Sequence, residues 1–267
     1  MGVAQKRDFY EFCPLTYEDI TFIRMLVVER ATPDLRALHE QTLALYLSMQ
    51  QALLIADRHA GNSDELDKAT AALKSNFIED WHSSIENAAD QHLDMLSRGC
   101  IDFYKDKTHC IDFATFLATQ YLRTNKRRIN ILSLLTPIPI DTIERTWTLL
   151  VHMLATNVAW HLFVSRTENT LKLLTNQTDQ DFITCDQPVI NVLALSNQVG
   201  IVPEELEFYY PVTPKIAVFL GKHDKFPGTE PEATPQLVDW LNEQMVLQSE
   251  SQVFAREKQS LLRYLAR

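Results

Sequence analysis

The 267 residues carry 25 Lys and Arg against 35 Asp and Glu, a formal net charge of −10, with 46% apolar and 22% charged residues. Those proportions exclude a disordered chain, a collagen-like repeat and a disulfide scaffold, and the length suffices to bury the core of one large domain or two small ones. Only six glycines occur, none spaced for a G-x-G-x-x-G turn or a G-x-x-x-x-G-K-[ST] loop. A Rossmann or P-loop phosphate site is therefore excluded, because both need glycine where backbone amides approach the phosphate.

In chain order, the apolar period predicts helices first. Leu15 to Val28 opens on Thr16 and Asp19, a cap followed by an acidic first turn. Asp34 to His59 carries Leu35, Leu38, Leu45, Met49 and Leu53 and stops near Gly61. Ser63-Asp64-Glu65 restarts a helix that runs on through Leu66 to Leu96 and ends at Arg98-Gly99, a basic last turn with a C-cap glycine. Phe113 to Leu135 reads as one helix ended by Thr136-Pro137, and Asp141 caps a further helix over Thr142 to Ala159. From about Trp160 the pattern shortens. Leu162–Val164, Leu171–Leu174, Phe182–Thr184, Leu206–Tyr210 and Ile216–Leu220 read as strands bounded by Asn, Asp, Gly and Pro. His223 to Pro235 is a loop, and Thr234 or Pro235 opens a last helix through Leu247 and beyond. The class expected is α+β: a helix-dominated first two-thirds, a small mostly antiparallel sheet and a C-terminal helix. Residues 1–267 form a single domain, with a helical part over 1–158 and the sheet and last helix over 159–267.

Cys13, Cys100, Cys110 and Cys185 contain no C-x-x-C pair, which argues against a thiolate zinc site, although Cys100 and Cys110 could bridge. The start shows no apolar signal segment, and a reduced, cytoplasmic protein is expected. Thr146 to Val164 lacks Asp, Glu, Lys and Arg. It nevertheless contains His152, His161, Asn157 and threonines, so it reads as a buried core helix and no membrane partner is expected.

Several stretches together resemble one family. Phe182-Ile-Thr-Cys-Asp-Gln-Pro-Val189 resembles an F-[IV]-T-S-D-N-P-V signature, with Cys185 and Gln187 in place of Ser and Asn. Gln120-Tyr-Leu-Arg-Thr124 resembles a Q-x-x-R-T element, and Tyr210-Pro-Val-Thr-Pro214 a P-[LV]-[ST]-P strand entry. Leu241-Asn242 resembles a late L-N, and Phe77 to Ala88, with Glu79 and Glu86, an acidic helix. In this order, over roughly residues 8–256, they resemble the domain of unknown function 4238 family. The short H-x-V-P-x-x-Y-L-like opening of that family is not found before Asp8.

The candidate chemistry gathers on these stretches. Asp186, held by Pro188 after an apolar strand, is a metal ligand or general base, or else the centre of an Asx-turn. Arg123 is a bidentate phosphate ligand, with Gln120 one turn away and Lys126, Arg127 and Arg128 beside it, or else a partner of Asp186 or Glu86 in a bridge. Glu79, His82 and Glu86 share a helical face on which a divalent metal could sit. Arg145 and His152 match the R-x6-H spacing of HEPN ribonucleases. The expected catalytic set is Asp186, Arg123 and Glu86; the expected substrate-binding set is Gln120, Thr124, Gln187, Asn242, Lys126 and Arg127. Two readings follow. One is a phosphodiester-cleaving, RNase-like toxin or phage-defence effector acting on nucleic acid. The other is a non-catalytic binding or sensing module for a protein or nucleotide partner.

Overall fold

The computed structural model describes residues 12–61, 63–135, 138–194, 205–222 and 232–265. The segment before Phe12, Thr136-Pro137 and most of the 223–235 loop lie outside these residues. The fold is α+β, dominated by helix. It opens with α1 (Tyr17–Ile23), which continues through a π-helical turn (Arg24–Val28), then α2 (Pro33–Arg58), α3 (Asp64–Ser97) and a 3-10 turn (Asp102–Lys105). Next come α4 (Lys107–Leu122), α5 (Asn125–Leu134) and α6 (Ile140–Val164). The strands are β1 (Thr170–Thr175), β2 (Thr184–Cys185), β3 (Ile190–Asn191), β4 (Glu207–Thr213), β5 (Ile216–Gly221) and β6 (Val253–Phe254), with α7 (Pro235–Gln248) before β6 and α8 (Lys258–Leu265) after it.

The helix ends follow the residue chemistry. Thr16 and Asp19 form a reciprocal capping box. Thr234 caps α7 through Leu237 N–H, with Pro235 at the first helical position. Gly99 takes φ +79°, and its N–H and that of Cys100 return to Leu96 and Met95 carbonyls at 2.9 Å, closing α3. Three expectations need correction. The single helix over Phe113–Leu135 is two, parted at Arg123-Thr124, because a Thr-Asn pair offers cap and turn chemistry that competes with the ladder. Leu162–Val164 is the last turn of α6, since nothing between Ala159 and Val164 interrupts the 3.6 period. Asp141 lies inside the first turn of α6. All four cysteines are free, so no Cys100–Cys110 bridge forms. Among the described residues one helix, α6, is long and apolar enough to cross a membrane, and half of its most apolar stretch is buried within the fold.

The chain groups into two compact units that do not follow chain order: 1–86 with 136–157, and 87–135 with 158–267. In the first, Phe12 stacks on Tyr46 at 4.5 Å, with Phe77 edge-on to both. Trp81 lies flat on His152 at 4.0 Å, and His39 meets Asn157 at 2.7 Å. Buried Asp19 accepts both Nε and Nη2 of Arg145, at 2.7 and 2.9 Å.

The second unit holds an antiparallel sheet in the order β1-β5-β4-β3 and a two-stranded ribbon of β2 and β6. Side chains alternate across the sheet. Phe208 and Tyr210 of β4 meet Tyr121 and Phe116 of α4. Tyr209, paired in register with Phe219 of β5 and 5.1 Å from it, belongs to the other core, which includes Ile183, Val238, Leu241 and Met245.

Candidate functional site

The ends of α4, α7 and the β2 ribbon bring the second unit's candidate residues together. Cys185 pairs with Val253, which sets Asp186 beside the turn that leaves α7. Asp186 is 7% exposed. Its Oδ1 accepts Glu250 N–H at 2.9 Å, and its Oδ2 accepts Ser251 N–H, Ser251 Oγ–H and Gln252 N–H at 2.7, 2.9 and 3.1 Å. Its own N–H returns to Gln252 O at 3.0 Å. A carboxylate offers about two acceptor positions on each oxygen, so these bonds fill Oδ2 and leave one position on Oδ1. The partners lie 64 to 66 residues along the chain, where a local Asx-turn had been one expectation.

Gln187 is 1% exposed and takes the hydroxyl proton of Thr124 on its Oε1 at 2.8 Å. Its Nε2 is buried and meets no acceptor among the described residues. Cys185, packed 3.8 Å from the Met245 sulfur, has its thiol pushed up to about 12 by burial, which keeps it a neutral filler of the core. Asn242, fully buried on α7, accepts Ile183 N–H at 3.0 Å and donates to Asp181 O at 2.9 Å and to Tyr264 Oη at 3.3 Å.

The basic run is engaged with the end of α7. Lys126 Nζ donates to Leu247 O and Ser249 O at 3.1 and 3.2 Å. Burial, and then the Arg127 charge, hold its ammonium below the ordinary lysine range. Arg127 lies 4.2 Å over the Tyr121 ring and donates to Gln248 Oε1 at 3.1 Å, while Gln248 Nε2 donates to Asn191 O at 3.0 Å. Asn125 bonds Glu250. Gln120 is buried on α4, and Arg123, half-buried, closes that helix with its N–H on Thr119 O at 3.0 Å.

Glu86 is exposed and belongs to the first unit. There His82 is buried with its ring 4.7 Å from that of His152, while Glu79 faces out. Arg145 of the R-x6-H spacing is the ion-pair partner of Asp19. Among the described residues no group of three His, Cys, Asp or Glu side chains gathers as a metal ion would need. An open polar depression of about 480 Å³ in the second unit is lined by Thr178, Gln180, Glu257 and Arg263 among others, and by none of the candidate residues.

Gln248, Ser251 and Tyr264 were not anticipated, although they complete the network. Ser249-Glu-Ser251 does read as a polar turn after a helix, but nothing in it announces a carboxylate 65 residues earlier. No curated protein and no solved structure matches the chain. A family model described as "Protein of unknown function (DUF4238)" matches residues 3–259 of the 267, and the chain belongs to that family.

Proposed function

We propose that the chain is a non-catalytic binding or sensing module for a nucleotide or protein partner. The observation that carries this reading is the engagement of Asp186: its four hydrogen bonds all come from residues 250–252, three of them on Oδ2, which commits that oxygen to the chain itself. Lys126, Arg127 and Asn242 are likewise spent on the chain's own carbonyls and amides, as residues of a packed network are.

The test combines two readouts on the purified full chain: melting with nucleoside mono-, di- and triphosphates, and incubation with total RNA in Mg²⁺ or Mn²⁺. A nucleotide-dependent rise in melting temperature with intact RNA supports the module. RNA fragmentation by the wild type, abolished in a normally folded Asp186→Asn variant, overturns it and restores the phosphodiester-cleaving effector.

A further inference from the structure

Away from the candidate residues, the second unit holds a pair of histidines that the network does not use. His92, near the end of α3, is fully buried, and His109, in the first turn of α4, is half-buried. His92 Nε2 lies 3.0 Å from His109 Nδ1. One proton can occupy that gap: whichever ring donates, the other must present a lone pair. Phe103 of the 3-10 turn stacks on His92 at 4.6 Å, and Phe113 approaches edge-on at 6.4 Å. The remaining ring nitrogen of His92, Nδ1, is buried with no hydrogen-bond partner among the described residues.

We propose that this pair is an acid-sensitive latch between α3 and α4, closed while at least one ring is neutral and opened when both are protonated. Doubly protonated, the rings would direct two N–H groups at each other across 3.0 Å, in a setting where the extra His92 proton finds no acceptor. Burial, and then His109, hold the His92 imidazole below its ordinary value, while Asp112 of α4 works the other way. On the His109 side, Asp106 caps α4 by accepting Thr108 and His109 N–H at 2.8 and 3.1 Å. The sign follows from linkage. A histidine depressed in the folded state contributes its stability above its unfolded value, about 6.5, and loses it as pH falls from there toward the folded value. Opening would free the 3-10 turn that carries Phe103. It would also loosen the start of α4, the helix that carries Gln120 at its other end.

The experiment is hydrogen exchange by mass spectrometry on the full chain at pH 7.5 and 5.5, corrected for intrinsic exchange. It follows peptides covering 98–112, which separates this pair from buried His39 in the first unit. About a tenfold loss of protection there on acidification is expected in the wild type, and the pH dependence should shrink in His109→Gln, whose amide can still bond His92 and which leaves only the burial of His92. Unchanged wild-type protection would overturn the latch. Should His109→Gln fold poorly, ring-nitrogen NMR of the wild type decides. Two stepwise titrations, the second well below the first, support the latch; two independent titrations near 6.5 refute it.

Discussion

Replacing Asp186 by Asn is the most discriminating perturbation, because the change is isosteric and touches only hydrogen-bond character. The wild-type carboxylate collects three backbone N–H groups and a hydroxyl at 2.7 to 3.1 Å. In the variant, whichever position the amide nitrogen takes faces at least one donor with a donor. Hydrogen bonds to a charged acceptor contribute about 1.5–3 kcal/mol each, so four would sum to about 6–12 kcal/mol. Residues 250–252 are exposed, however, and water recovers part of the loss once the turn loosens. The expected cost is therefore about 3 kcal/mol, or about 6–12 °C in melting temperature at this chain length. The assay is urea unfolding followed by circular dichroism, comparing midpoint and slope. Catalytic groups behave otherwise: their replacement is commonly neutral or stabilising. An Asp186→Asn protein within about 0.5 kcal/mol of wild type would refute the reasoning and return Asp186 to the candidate catalytic residues.

Asn242→Ala should cost about 2–3 kcal/mol in the same assay, because it orphans the buried Ile183 N–H and removes donors to Asp181 O and Tyr264. Gly221→Ala should destabilise by about 1–3 kcal/mol, since a Cβ there would stand 2.5 Å from Glu207 Oε2 and 2.8 Å from Leu206 O; shortening Glu207 to Ser should rescue only part, as the carbonyl stays. In the first unit, Arg145's hydrogen bonds hold buried Asp19 below the usual carboxylate range. That stability is present above about pH 4 and lost as pH falls through the depressed folded value, so Arg145→Met should flatten the acid limb of the stability profile.

The class and most helix boundaries were legible because they rest on local chemistry: Thr16 with Asp19, Gly99, and Thr234 with Pro235 each satisfy an end that the backbone cannot satisfy alone. What failed was also local in origin. The break at Arg123-Thr124 is hidden by an apolar period that continues on both sides of it, and β3 and β6, two residues each, are too short to show a period at all. The contacts among the candidate residues of the second unit were not legible. Thr124 with Gln187, Asp186 with Ser251 and Arg127 with Gln248 are separated by 63, 65 and 121 positions, and no pattern within one sequence encodes such pairings.

The basic run Arg123-Thr-Asn-Lys-Arg-Arg128 has a second reading that composition does not reveal. Four cations in six residues suggest phosphate recognition in a chain whose net charge is −10. Yet a helix that ends inside a fold also needs cations, because its last carbonyls have no partner and carry the negative end of the dipole. α7 ends in this way, and Lys126 meets Leu247 O and Ser249 O there while Arg127 reaches Gln248. Asp186 completes the exchange by taking the N–H groups of the turn that follows. Cation and carboxylate thus serve opposite ends of one chain reversal, carbonyls on one side and amides on the other. Lys126, Arg127 and Asp186, which look like a phosphate site and an acid, each meet groups of that one chain reversal.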